Sequence, residues 1–467
     1  MKKILFSIAL FSSFYLHAQT TIVEEKFEKD NKPVEFEILK NENEVLVKKG
    51  KAYGSIRGIN KVDLFSLDNL KGTKIVENGK FLDFKPSTID NTFVGTEFNG
   101  VGWVSSTKIF ENNKLIATLD SNKNFFLFSK EFSYSVGNEK NKYLDNIEKG
   151  NLFLHKYNNK LKKTQVIKLD KPSFFTVNKK DFYNLDEVAY KIFYHKNSFD
   201  VTTKFINKDA RSFVFHRAIY DLDGKNTKTL SYNINVGKPL ILSNNSGGEI
   251  DSNYNSLSKS FNDKFADQLS INNYYLDEDT NDIYVYGLFG KKDERLVNNE
   301  VGGYYVIKFD SEGKQVWQKV QEISDAEMNR NASKLRLSNG FRIENGEGVF
   351  SIFQYYSAEY YFYSQLDLST GAIKSSQKIS FDVDKMWESE YRNSQVVAFF
   401  NLKEYKKLKL DFDTMHLNST NKKIQNYLVE LNKSKDKISV NCLVSDKGNW
   451  LIESDNDNYY KITFFEK

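Results

Sequence analysis

Four histidines follow residue 18, at positions 155, 195, 216 and 416, and the single cysteine is Cys442. Histidine is the side chain best suited to move a proton near neutral pH or to bind a metal. None of the four stands at a His-x-x-x-His spacing, so no metal site is expected, and each is read as packing or hydrogen-bonding within a sheet. Cys442 lies in the apolar run Ser439-Val440-Asn441-Cys442-Leu443-Val444. A nucleophilic thiol wants a histidine base, and no motif places one beside it. It reads as a buried thiol, and a lone cysteine allows no internal disulfide. The acidic run Asp277-Glu278-Asp279-Thr280-Asn281-Asp282 lacks the central glycine and closing glutamate of a calcium loop and leads into a strand at Ile283. It is expected to be a solvated turn, as are Asp221-Leu222-Asp223-Gly224 and Asp455-Asn456-Asp457-Asn458. With 62 acidic residues in the chain, no glycosidase carboxylate pair stands out. No catalytic, metal or cofactor residue is predicted, and the ligand-binding residues are not identified by sequence.

Two further segments carry possible chemistry. Phe353-Gln354-Tyr355-Tyr356-Ser357-Ala358-Glu359-Tyr360-Tyr361-Phe362-Tyr363 is the densest aromatic stretch. It predicts a hairpin turning at Ser357 to Glu359 with aromatics on both faces, as a sheet covered on both sides requires; the alternative is a sugar-stacking platform. Asp413-Thr414-Met415 is similar to the Asp-Ser/Thr-apolar acceptor of some bacterial periplasmic O-glycosylation systems, which implies a surface position for Thr414.

The elements that would position these residues are strands. Runs such as Ile283-Tyr284-Val285-Tyr286 and Val396-Val397-Ala398-Phe399-Phe400 are β-branched or aromatic and bounded by turn formers. The 38 Phe and 27 Tyr suit pleated, half-buried surfaces, and only four prolines interrupt the chain. A unit recurs: an apolar strand, a tight turn carrying Asp or Asn with Gly or Lys, then a more polar strand. Its clearest copies are Val214–Tyr232, Tyr304–Val320 and Tyr361–Ile379. Weaker ones are Val62–Val76, Lys108–Leu119, Leu152–Leu169 and Tyr427–Val440. Each hairpin leaves room for two more strands before the next, and a row of four-stranded sheets buries its faces only by stacking radially. The pattern predicts an all-β fold, a β-propeller of about seven four-stranded blades, with six or eight allowed. In one stretch the period changes: Leu257, Phe261, Phe265 and Leu269 recur every fourth residue and predict a short helical insertion near 256–270. Ring closure is expected from the strand around Val34–Ile38 sharing a blade with Tyr459–Phe465.

The hairpin Asp310-Ser311-Glu312-Gly313-Lys314-Gln315-Val316-Trp317 resembles the outer hairpin of quinoprotein-type and related bacterial propellers, which repeat Asp-x-x-Gly-Lys-x-x-Trp from blade to blade. The tryptophan is missing from the Asp221 and Asp367 hairpins. The resemblance therefore implies a secreted or periplasmic bacterial propeller repeat fold and no cofactor.

Residues 1–18 read as a signal peptide: Lys2 and Lys3, an apolar run from Ile4 to Leu16, and Ala18 before the cut. Residues 19–467 are then expected to form one propeller domain. No cysteine follows the cut, so the chain is not expected to be a lipoprotein, and no later segment is apolar enough to span a bilayer as a helix. The formal net charge of +5 is spread without a basic stripe, which excludes a nucleic-acid partner. These features predict a periplasmic or secreted, non-catalytic binding or scaffold protein of the bacterial envelope, a monomer whose partner is an envelope protein or glycan. The alternatives are a carbohydrate-active hydrolase or lyase on the same scaffold, and an outer-membrane β-barrel.

Overall fold

The computed structural model describes residues 19–467 except 27–31, 40–42, 54–55, 69, 71, 88–90, 99–103, 121–126, 129–130, 138–151, 159–162, 172–189, 196, 208, 210, 242–273, 292–300, 324–335, 356–359, 383–388, 393–394, 435 and 456–458. The chain opens with β1 (Gln19–Lys26), which belongs to the last sheet. The first unit is β2 (Lys32–Ile38), β3 (Glu44–Tyr53), β4 (Ile56–Ser66) and β5 (Thr73–Val76). The second is β6 (Phe81–Pro86), β7 (Thr92–Phe98), β8 (Val104–Glu111) and β9 (Lys114–Asp120). A single pairing, Ile59 with Phe81, joins these two units. Next come β10 (Leu127–Phe128), β11 (Phe132–Gly137), β12 (Phe153–Asn158) and β13 (Lys163–Lys168), then β14 (Tyr190–Tyr194), β15 (Ser198–Ile206), β16 (Ser212–Asp221) and β17 (Asn226–Asn235).

In the following unit one strand position is filled twice. β18 (Leu240–Ile241) and β19 (Tyr274–Leu276) pair with opposite ends of β20 (Ile283–Gly290), which continues through β21 (Val301–Phe309) to β22 (Gln315–Glu322). The helix expected near 256–270 lies outside the described residues. The next unit is β23 (Arg336–Glu344), β24 (Glu347–Tyr355), β25 (Tyr360–Asp367) and β26 (Ile373–Asp382). A two-stranded hairpin follows, β27 (Ser389–Arg392) with β28 (Gln395–Ala398), and then β29 (Asn401–Leu402), which pairs with β26. β30 (Leu408–Leu410) precedes two helices, α1 (Phe412–Thr420) and α2 (Lys422–Leu431). The last sheet is β31 (Ile438–Val444), β32 (Gly448–Asp455) and β33 (Tyr459–Glu466), with β1 on its far side and β30 parallel to β31.

Burial follows position in the unit. β20 is buried along its whole length and β21 at all but one residue, because these strands are covered on both faces. The fourth strand β17 alternates instead, with Leu230, Tyr232 and Ile234 turned inward and Thr229, Ser231 and Asn233 outward.

The apolar cores show how the units stack, because each cluster joins one unit to the next. Val45 and Phe65 of the first unit pack with Trp450 and Ile462 of the last, and Leu46 and Val62 with Phe81 and Phe93 of the second. Ile109 meets Tyr157, Leu154 meets Phe199 and Tyr220, and Tyr232 meets Phe309. Tyr304 meets Phe350, and Tyr361 meets Val440 and Phe465 through residues of both helices. The ring of contacts closes on itself, which makes the fold a β-propeller. Strands divided among several separate sheets argue against the barrel alternative, in which every strand would pair with the next around one continuous sheet.

The predicted hairpins are found at β4–β5, β8–β9, β12–β13, β16–β17, β21–β22 and β25–β26. Tyr427–Val440 is not a hairpin. Tyr427 lies on α2, whose buried Ile424 and Leu428 are one turn apart, and a polar segment leads from there to β31. The closing strand also differs from expectation. β1 pairs with β33 from Gln19↔Phe465 to Lys26↔Tyr459, whereas Val34–Ile38 belongs to β2 of the first unit. Closure from both termini is as expected; the segment that performs it lies further upstream.

Candidate functional site

In a four-stranded antiparallel run the first-to-second and third-to-fourth turns leave the sheet at one end. Contacts between neighbouring units align these ends. Lys228 Nζ at the β17 edge donates to the Ser311 carbonyl at 3.0 Å, and Trp317 Nε1 on β22 donates to the Leu368 carbonyl at 2.9 Å, both acceptors lying in the next unit's third-to-fourth turn. Gly371 in that turn has φ +70°, and a Cβ there would stand 2.6 Å from the Trp317 ring, so only glycine fits.

The first-to-second turns of the same face hold the most convergent polar groups. His195 follows the last residue of β14, and its Nδ1 lies 3.9 Å from Glu278 Oε1 in the β19–β20 turn of the neighbouring unit. That turn is built by Asp277, whose Oδ1 accepts from the Asp279 amide at 3.0 Å and whose Oδ2 accepts from Thr280 Oγ1 at 2.9 Å. Tyr275 sits at its base and packs edge-on to Phe341 at 5.9 Å. Burial pushes the Tyr275 hydroxyl up, and the charges of Asp277, Asp446 and Glu278 add to the effect. Asp446 belongs to the β31–β32 turn of the last sheet, two units away, and units that are not neighbours approach each other only near the ring axis. In that turn Lys447 Nζ donates to Asn43 Oδ1, ahead of β3, at 2.8 Å. Asp282 pairs with Lys308 at 2.8 Å, and the ammonium lies 5.4 Å over the Tyr284 ring.

His195 looks at first like half of a catalytic dyad, since its Nε2 is 3.1 Å from Asp200 Oδ2. Asp200 is fully buried and also accepts from Arg217 Nε on β16. Burial works against a charged imidazole, but the hydrogen bonds to Asp200 and Glu278 outweigh it and raise His195 to about 9. At neutral pH it is already a cation, so it is an ion-pair partner and not a general base.

Of the other histidines, two lie in sheets as expected, and the third, His416, packs on a helix instead. His155 is buried on β12 between Phe153 and Tyr157. His216 lies with its Nδ1 2.8 Å from Ser231 Oγ, and burial lowers it to about 4. His416 is enclosed on α1, edge-on to Tyr363 at 4.2 Å, with Nε2 3.6 Å from Glu344; burial and then the Arg342 charge lower it to about 3. Cys442 is buried, and burial pushes its thiol up.

Thr414 overturns the glycosylation reading. It is 0 % exposed in the first turn of α1, where its Oγ1 donates to Asp411 Oδ1 at 2.6 Å. Asp413 is held by Arg342, which also donates to Glu344 Oε2 at 3.1 and 3.2 Å. Of the aromatic stretch, Tyr361 and Tyr363 pack toward α1, and residues 356–359 lie outside the described residues. The acidic runs at Asp221 and Asp277 are turns, as expected. Sequence reasoning missed Tyr275, Arg217, Arg342 and Glu344. Each is a single residue in a strand, and the groups that define it are distant in sequence. Among the described residues no group of three or more His, Cys, Asp or Glu side chains is placed to hold a metal, and no helix is long and apolar enough to cross a membrane.

No family model and no curated protein matches the sequence. Among solved structures, the AfRom2 CNH domain is 7% identical, over 96% of this chain and 99% of that one, with a TM-score of 0.36. The β-propeller domain of the trilobed protease from Pyrococcus furiosus is 12% identical, over 81% and 92%, with a TM-score of 0.36. A quinohemoprotein alcohol dehydrogenase from Pseudomonas putida HK5 is 12% identical, over 68% of this chain and 44% of that one, with a TM-score of 0.26. Likenesses this slight carry nothing about activity to this chain, and the fold assignment rests on its own sheet order and closed ring of cores.

Proposed function

We propose that this chain is a seven-bladed extracytoplasmic propeller that binds a partner of the bacterial envelope, protein or glycan, and performs no catalysis. On this reading residues 1–18 are a leader removed on export, and residues 19–467 form one domain. The observation that carries the binding role is the approach of His195 of one unit to Glu278 of the next, beside Asp277 and Tyr275, on the face where the short turns gather. Loops on a rigid scaffold are where recognition is built. The ion pairs support the same reading. Lys48 lies between Glu35 and Glu37, Arg217 against Asp200, and Arg342 between Glu344 and Asp413, so each cation ties strands or elements together.

The test places a photo-cross-linking residue at Glu278 or Asp446 in living cells, with Val166 on the exposed fourth strand as control. A discrete adduct from the two turn positions and none from Val166 is expected. The Tyr275→Phe variant, which keeps the ring packing and removes the hydroxyl, should weaken the adduct while melting near the wild-type temperature. Adducts of equal strength from Val166, or glycan cleavage by the purified protein, would overturn the reading.

A further inference from the structure

We propose that the edge of β33 is a strand-accepting site that takes residues 19–26 of a second copy of this chain as well as its own. Other fourth strands are tied to the third by a short turn, as β17 is to β16 and β22 to β21. β1 has no such tie. It comes from the opposite end of the chain, and only residues 27–31 separate it from β2 in the first unit. Its register runs from Gln19↔Phe465 to Lys26↔Tyr459 with one irregularity between Thr21 and Val23.

β1 is also lightly anchored. Ile22 alone is buried, with Val23 and Glu25 half-buried and the rest exposed. Main-chain hydrogen bonding therefore supplies most of its hold, and any copy of the same segment reproduces it. One side-chain lock adds to this. Glu25 Oε2 accepts from Tyr460 Oη at 2.7 Å and from Lys49 Nζ at 2.7 Å, and Lys49 also pairs with Asp63 at 2.8 Å. When β1 leaves, Tyr460, Lys49 and Asp63 remain in place. β33 remains too, because Tyr460, Ile462, Thr463, Phe464 and Phe465 are buried in the ring. The bared edge offers unpaired amides and carbonyls, an apolar recess for Ile22 and two donors for a carboxylate. Residues 19–26 of another copy match all three. The short tether keeps a chain's own strand at high local concentration, so exchange follows when many molecules open and reclose together.

The experiment refolds together two differently tagged copies of the full chain at high concentration, one carrying Lys26→Cys and the other Tyr459→Cys. These positions face each other in the pairing. A disulfide joining the two tags in a dimer, suppressed by excess peptide of sequence QTTIVEEK, is the expected result. A single chain with both substitutions serves as the internal control and should close its own disulfide. If that control cross-links while the mixed copies never do, the site takes only its own strand and the proposal falls. A dimer whose disulfide is absent, or one indifferent to the peptide, overturns it as well.

Discussion

Lys48 is enclosed within the first unit, with its ammonium 2.9 Å from both Glu35 and Glu37. Burial opposes its charge, but the two carboxylates more than offset that and raise its pKa. Lys48→Met should cost about 3–5 kcal/mol, because it strands two half-buried carboxylates without a counter-charge; urea unfolding measures it, and a loss below ~1 kcal/mol would contradict the pairing. His195 makes a second residue-scale prediction. Its folded pKa of about 9 exceeds the ordinary 6.5, so the stabilisation is fully present below about pH 6.5 and is lost as pH rises through about 9. Asp200 and Glu278 face the ring as anions and Arg217 as a cation. Melting curves from pH 6 to 10 should show the wild type losing its advantage over His195→Gln across that window. Parallel curves would refute the assignment. Neither set was legible in the sequence, since Lys48 reads like any of the chain's many surface lysines until the fold closes over it.

The strand–turn–strand units were legible because a turn's chemistry is local. Asp221, Asp310 and Asp367 each accept from backbone amides two to four residues ahead, a pattern set by neighbours in sequence. The helices were harder to see, because each spans under three turns and the Asn/Lys-rich segment after α2 mimics a hairpin turn. Their signals were there in hindsight: Asp411 and Asn421 cap the two starts. Asp411 is buried, and its Oδ1 accepts from the Thr414 amide at 2.9 Å, Thr414 Oγ1 and the Cys442 amide. Asp411→Ala should therefore cost about 2 kcal/mol or more, at or above the top of the usual range for a cap, since it also orphans a strand amide. Asp411→Asn should recover part of the loss in thermal melting. An alanine variant as stable as wild type would mean that the helices dock without their cap.

The ring as a whole depends on its two ends. β1 supplies the outermost strand of the sheet that β33 belongs to, and Ile22 joins a core shared by the first and last units. Removing residues 19–26 should lower the melting temperature of the whole chain in one transition, since an open array leaves two unpaired edges. A wild-type melt, or fraying confined to residues near 459–466, would argue against closure by β1. The proposed removal of residues 1–18 bears on the same strand: a cut after Ala18 would leave Gln19, the first residue of the closing strand, and on that proposal N-terminal sequencing of the mature protein should begin there. A start beyond Ile22 would remove the strand's buried anchor and contradict the arrangement.

Composition, alternation and turn residues by themselves determined an all-β repeat fold and six of its hairpins, because these depend on neighbours within a few residues. The strand pair that closes the last sheet could not be found as a repeat. Its two strands, Gln19–Lys26 and Tyr459–Glu466, lie at opposite ends of the chain and meet only when the ring closes. The same holds for the turn face: His195 and Glu278 are brought together by the stacking of whole units, and no spacing in sequence encodes that. Tertiary structure alone decided which lysine is buried between two carboxylates and which threonine is sealed in a helix cap, since each outcome depends on what a distant strand lays over it.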